Sequence, residues 1–226
     1  MRVLVACEES QTVCKAFRER GHEAYSCDIV ECSGGHPEWH IKSDVLPLLG
    51  GDCEFITCDG DLHTIPGKWD LIIAHPPCTY LTNCCTRGFS LRVTDPAKVV
   101  DRWEKRAMAA VFFMHFVYAH ADKIAIENPC GFMSTAWRKP DQYIDPYMFA
   151  TSVNDTENYV TKRTGLWLKN LPKLVDYGLP RPNNIELFGR YPSGKIKCWE
   201  DSVVRTAKLR SKTFPGIAKA MAEQWG

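Results

Sequence analysis

Three stretches of the chain, RVLVAC (2–7), WDLIIAH (69–75) and KIAIEN (123–128), carry uninterrupted apolar runs, VLVAC, LIIA and IAI, each followed at once by a polar residue. A strand with one face in water would alternate apolar and polar residues. Unbroken apolar runs of this length persist where both faces are covered, which is the situation of a parallel sheet with helices on both sides. The segments between the runs fit that arrangement. After the first run, Ser10 is placed to cap a helix with Val13, Ala16 and Phe17 on one face and Lys15, Arg18, Glu19 and Arg20 on the other, ending at Gly21. HEAYSCD (22–28) then alternates as a second strand and stops at Asp28. Residues 95–121 predict a long helix with apolar positions at 99, 100, 103, 107, 110, 111, 114, 117 and 118. TGLWLKNL (164–171) reads as a further strand, 172–195 as a Pro/Asn/Gly-rich loop or small subdomain, and PGIAKAMAEQW (215–225) as a closing helix. The segment from Ile29 to Gly67 has no such clear period, apart from a possible hairpin around CEFITCDGD (53–61). The expected class is α/β, a doubly wound Rossmann-like sheet with a small basic C-terminal subdomain.

Composition narrows the chemistry. At 226 residues, 45% hydrophobic and 24% charged, the chain is of a size to build one ordinary core with a small appendage. No apolar run approaches the roughly 18 residues of a membrane span, and MRVLVACEESQ lacks the layout of an export signal, so a cytoplasmic protein with no membrane partner is expected. The 11 cysteines are odd in number, which favours reduced thiols over a disulfide framework. Cys27, Cys32, His36 and His40 run in series, as do Cys53, Cys58 and His63, but neither set has paired CxxC spacing, and no metal site is expected. The net charge of +1 hides a polarity: residues 1–160 hold 15 Lys and Arg against 22 Asp and Glu, whereas residues 161–226 hold 13 against 5. A basic final third is what a phosphate-contacting segment would show, and also what a solvated basic face would show.

In open parallel sheets, ligands gather at the carboxyl ends of the strands. That edge should collect the residues after Ala6, then Asp28, then His75 to Cys78, then Glu127 to Pro129. A carboxylate at the end of the second strand suits a ribose, though Asp28 could equally close a turn. The stretch LIIAHPPCTYLT raises the sharper question, because it ends a buried strand in two prolines and a cysteine. Prolines fix the backbone and donate no hydrogen bond, so Cys78 need not point into the core and can be a nucleophile as readily as a packed thiol. In IAIENP, Glu127 emerges directly from an apolar strand, where burial would raise its pKa and let it hold or donate a proton.

In this order, PPCTYLT, IENP, VTKRTGLWL and PGIAKAMAEQWG resemble the Pro-Cys, Glu-Asn, Arg-containing strand and closing-helix motifs of DNA (cytosine-5) methyltransferases of the small phage and prophage type. SDV (43–45) sits where that family has an Asp beside an adenine ring. The resemblance implies an S-adenosylmethionine-dependent enzyme with a catalytic domain over 1–170, a short DNA-recognition region over 171–212 and a helix over 213–226 that returns to the catalytic domain. It implies catalytic roles for Cys78, Glu127 and Arg163, and cofactor contacts at Ala6, Cys7, Glu8, Ser10, Asp28, Ile29, Asp44, Val45 and Pro76. The implied partner is double-stranded DNA with its cytosine flipped out, bound by a monomer or weak dimer. Contacts to it would come from Arg181, Arg190, Lys195, Lys197, Arg205, Lys208 and Arg210, interleaved with Phe188, Tyr191 and Trp199 as stacking or wedging rings. Two departures stand out: ACEES (6–10) has no glycine where the family's first loop is glycine-rich, and Gly165 stands where a second arginine is common.

Two other readings fit part of this pattern. An exocyclic amino-methyltransferase would resemble Asp-Pro-Pro-Tyr at the same strand end, whereas His75-Pro76-Pro77-Cys78 has the prolines but neither the acid nor the aromatic ring. A non-catalytic DNA-binding or anti-restriction module could keep the fold without the chemistry.

Overall fold

A computed structural model describes residues 1–202 and 211–226. Seven strands form one sheet in the order β3-β2-β1-β6-β7-β9-β8. They are β1 (Arg2–Ala6), β2 (Glu23–Asp28), β3 (His40–Lys42), β6 (Trp69–Ala74), β7 (Ala121–Pro129), β8 (Gln142–Ile144) and β9 (Thr164–Lys169), while β4 (Cys53–Ile56) and β5 (Leu62–Ile65) pair as a separate hairpin. From β3 through β7 all neighbours are parallel; β9 runs antiparallel to both β7 and β8. The sheet is therefore mixed rather than wholly parallel. The chain steps outward from β1 to β2 and β3, then returns to β6 on the other side of β1, so the strand order reverses between β1 and β6.

Alternation along each central strand sorts side chains into two cores. Val3, Val5, Leu71, Ile73 and Ala125 face one way, against Phe17 of α1 (Thr12–Glu19) and Ile217, Met221 and Trp225 of the C-terminal helix Pro215–Trp225. Leu4, Ala6, Ile72, Ala74, Ile124 and Ile126 face the other way, against Phe113 and Phe116 of α2 (Pro96–Val117). Both faces are covered, which is why these strands read as continuous apolar runs.

Two local expectations change. Ser10 does not cap α1: its hydroxyl meets the Thr12 hydroxyl at 3.1 Å, and the helix is closed instead by the Glu8 carboxylate, which accepts from the Val13 and Cys14 N–H groups at 2.6 and 3.1 Å. The apolar stripe expected on α2 is also rotated. Val99 is buried, but Val100, Trp103, Val111 and Tyr118 are exposed, and Phe113 and Phe116 enter the core. The cause is Arg106, a buried arginine on the inner face whose guanidinium lies 3.4 Å over the Phe89 ring and whose Nε donates to the Tyr80 carbonyl at 2.8 Å. Counting apolar residues misplaces a face that contains a packed cation. Among the described residues, no helix is long and apolar enough to cross a membrane.

Candidate active site

At the carboxyl end of β1, Cys7 takes a left-handed φ of 60°, as does Gln11 at 57°, so the turn into α1 is made without glycine. Gln11 is fully buried, and its amide holds both the N–H and the carbonyl of His36, at 3.0 and 2.8 Å. Burial, then the charge of Asp28, the Cys27 thiol and the charge of Asp44, push the Cys7 thiol far up. Asp28 and Asp44 are thus both near enough to the end of β1 for their charges to act on Cys7. Asp28 accepts from the Val30 N–H at 3.3 Å, which leaves acceptor capacity on its carboxylate, and burial raises its pKa. Ile29 beside it is 74% exposed, an apolar surface at the lip of the sheet. Val45 is buried, and Asp44 accepts from the Leu46 N–H at 3.0 Å. Glu8, fully occupied with the start of α1, is buried with its pKa raised. Ser10 lies apart, on the wall of a cavity of about 770 Å³ between α1 and the C-terminal helix that includes none of His75, Cys78 or Glu127.

The end of β6 is built differently. The His75 N–H continues the sheet by donating to the Ala6 carbonyl at 3.0 Å, Pro76 is buried, and the Cys78 carbonyl accepts from the N–H groups of Leu81 and Thr82, both at 2.9 Å. Cys78 itself is half-buried at the head of that turn. This loop is fastened to the one that follows β7. The Asn128 amide donates to the Pro76 carbonyl at 2.7 Å, Phe132 N–H donates to the Leu81 carbonyl at 2.7 Å, and Thr82 bridges to Gly131. A Cβ on Gly131 would collide with the Leu81 carbonyl oxygen, so the close approach requires glycine. The Pro-Cys and Glu-Asn-Pro segments thus form one braced unit.

Glu127 sits in that unit with its side chain 24% exposed. His75 Nδ1 lies 3.2 Å from Oε2, and the Thr164 hydroxyl donates to Oε1. Burial opposes the charged form, but the His75 hydrogen bond and charge, the Thr164 hydroxyl and Lys162 outweigh it and hold the Glu127 carboxyl below its ordinary range. The sequence expectation of a raised Glu127 is reversed, because the acid is buried with a base rather than with hydrocarbon. Burial likewise opposes a charged His75, yet Glu127 and the more distant Glu8 hold it above its ordinary value.

Arg163 does not reach Glu127 in this state. It is 57% exposed, and its Nε lies 3.4 Å from Oδ2 of Asp145, a carboxylate only 5% exposed at the end of β8. Its neighbour Lys162 places its ammonium 5.0 Å over the Trp199 ring, near enough for its charge to act on the His75–Glu127 pair. Gly165 faces Pro140, whose Cγ would stand 2.9 Å from an added Cβ, so any larger residue at that register position requires Pro140 to move. His75, Thr164, Lys162 and Asp145 had no assigned role in the sequence. The hint available was a histidine ending an apolar strand.

The basic residues fall into three groups. Arg190, Lys195 and Lys197 lie on a small hairpin closed by the Arg190–Ile196 bridge; Arg190 donates to the Gly194 carbonyl at 2.8 Å, and Lys197 lies 5.5 Å over Tyr191. Arg181 is exposed, close enough for its charge to act on Asp145. Arg205, Lys208 and Arg210 lie outside the described residues. Phe188 and Trp199 pack against the core, with Trp199 and Phe214 rings 5.1 Å apart, so Tyr191 is the ring of the three that stays with the hairpin. Among the described residues, no group of three or more His, Cys, Asp or Glu side chains is placed to hold a metal ion.

No family model matches the chain, and no curated protein does. It is similar in structure to an Escherichia coli prophage-encoded protein provisionally named a DNA modification methyltransferase, with a TM-score of 0.40 and 14% identity over 81% of this chain and 56% of that one. The chain therefore spans little more than half of that protein's length. A likeness of this size decides neither fold nor chemistry, and both rest on the chain's own residues.

Proposed function

We propose that the chain is a DNA methyltransferase of the cytosine-5 type. The observation that carries this reading is the bracing of two loops, in which the 2.7 Å bond from Asn128 to the Pro76 carbonyl joins the segment bearing Cys78 to the strand bearing Glu127. A nucleophilic sulfur and a carboxyl group with a proton donor beside it are the two groups that addition to a pyrimidine requires.

S-adenosylmethionine, when bound, supplies an electrophilic methyl group. The residues present suit it: Asp28 has acceptor capacity for ribose hydroxyls and Ile29 offers an apolar face, both at the carboxyl end of β2, where such ligands gather, and Asp44 is near enough for its charge to act at the end of β1. Cys78 adds through sulfur to C6 of the cytosine, and Glu127 holds N3 and the exocyclic amino group as charge moves into the ring. Asp145 holds Arg163 at the rim, where its exposed guanidinium can meet the base or a phosphate. The target carbon is hidden in stacked DNA, so the base must be turned out of the duplex, and the Arg190–Lys197 hairpin supplies phosphate contacts outside the pocket.

DNA carrying 5-fluorocytosine tests the chemistry, because fluorine at C5 blocks the proton loss that frees the enzyme. The expected result is a denaturant-resistant protein–DNA adduct that needs S-adenosylmethionine and disappears in Cys78→Ala. Methyl groups found on the exocyclic nitrogen, or DNA binding with neither transfer nor adduct, would overturn the assignment.

A further inference from the structure

We propose that His75 is the proton store of this site: it shares one proton with Glu127, passes it through that carboxyl group to N3 as sulfur adds to C6, and takes it back as sulfur leaves. This rests on the cytosine-5 reading and deepens it. The geometry begins with the hydrogen-bonding needs of N3, which carries a lone pair and accepts. An ionised carboxylate also only accepts, so Glu127 can hold N3 only when it carries a proton. The Thr164 hydroxyl occupies one carboxyl oxygen, and His75 Nδ1 stands 3.2 Å from the other. The His75 side chain is 9% exposed, and its Nε2 is buried with no hydrogen-bond partner among the described residues. A ring so placed exchanges its proton most directly with the carboxylate in front of it.

The transfer balances without another reactant. The shared proton starts on His75 with Glu127 ionised; Nδ1–H breaks as the carboxyl O–H forms toward N3. Then the thiolate pair forms S–C6, the C5=C6 pair moves toward C5 and N3, and the carboxyl O–H breaks as N3–H forms, leaving Glu127 a carboxylate. Imidazolium becomes imidazole while the adduct stays neutral; when C6–S breaks, the proton returns by the same route. The charged groups around the ring are Glu127 on β7, Glu8 in the turn after β1 and Lys162 ahead of β9, two anions and one cation, and the anions raise the ring above its ordinary value against burial and Lys162. Because the store must be filled before addition, turnover falls as pH rises through the upper step of the coupled pair. His75 acts through Glu127 and is a positioning residue.

The test compares the full-length protein with His75→Gln, whose amide can still donate to Glu127 but holds no exchangeable charge. Turnover on DNA is expected to fall about tenfold or more at pH 8 with KM little changed, to recover partly toward pH 6, and to lose its upper limb from the wild-type position. A pH profile that keeps its shape in His75→Gln would overturn the proposal. NMR titration of the His75 ring gives a reading independent of turnover: its midpoint should lie above the ordinary histidine value and drop in Glu127→Gln. An unmoved midpoint would overturn the shared proton whatever the substrate. A midpoint that moves in a wild-type protein unable to methylate cytosine would overturn the cytosine-5 reading and the N3 step, leaving the proton pair.

Discussion

β1 and β6 lie side by side in the sheet, each runs into a cysteine within four residues, and the two ends are finished in opposite ways. After β1 the chain turns through left-handed Cys7 straight into α1, and the nearest carboxylate, Glu8, is drawn inward to the first N–H groups of that helix. The Cys7 thiol is half-buried as Cys78 is, but desolvation and the charges of Asp28 and Asp44 push it far from ionisation. After β6 no helix follows at once. Two prolines carry the backbone outward, Asn128 pins the first of their carbonyls, and Cys78 is left half-buried. The same edge of one sheet is closed where the chain must feed a helix and open where prolines remove the N–H groups a helix would need. In the proposed reading the nucleophile is at the proline-led end and the cofactor's backbone contacts are at the end that feeds α1.

The largest effect that would break this contrast is an exchange of roles between the two sulfurs. Cys78→Ala is expected to remove methyl transfer by a factor on the order of 10³ or more, as loss of a covalent nucleophile does. Cys7→Ala should leave transfer largely intact, since that thiol is protonated and only its backbone turns the loop. Tritium transfer from labelled S-adenosylmethionine to DNA measures both. A Cys7 variant as inactive as the Cys78 variant would mean that the two strand ends share one chemical task.

Most of the sheet was legible because burial on both faces leaves a continuous apolar signal in β1, β6 and β7, and helix periodicity marks the C-terminal helix. β3 and β8 are three-residue strands at the two edges, too short to carry a period. Cys78 and Glu127 stood out as polar residues emerging from apolar runs. The partners of Glu127 did not, because Thr164 and Lys162 reach it only through the insertion of β9 between β7 and β8, a register pairing Pro129 with Thr164 that no local pattern encodes. Glu8 shows a related ambiguity. A carboxylate beside a cofactor loop and a carboxylate capping a helix look alike in sequence, and the difference lies in which way the backbone turns at Cys7.

That last distinction gives the next largest effect. If Glu8 serves α1, Glu8→Ala leaves two N–H groups of a buried helix start without their acceptor and should cost about 1–3 kcal/mol of stability. For a chain of this length each kcal/mol lowers Tm by about 2–4 °C, within reach of thermal unfolding. Affinity for S-adenosylmethionine, compared well below the transition, should change little. A variant with unchanged Tm and lost cofactor binding would place Glu8 at the ligand and open the end of β1 after all.

The smallest effect concerns the basic hairpin, which lies away from both strand ends and should alter affinity without altering chemistry. Lys195 is exposed, and Lys197 lies over Tyr191, so the hairpin carries point charges of the kind that pair with phosphates. Ammonium–phosphate pairing of that kind releases counterions and carries no sequence information. Replacing either lysine by alanine should therefore weaken binding to duplexes of any sequence alike and reduce the slope of log K against log salt by about 1 for each phosphate no longer neutralised. Single-turnover methylation at saturating DNA should stay at the wild-type rate, because no reacting group has moved. A lysine variant that kept its salt slope but changed which cytosines are methylated would show the hairpin reading bases, and the division between a chemical edge and an electrostatic clamp would have to be redrawn.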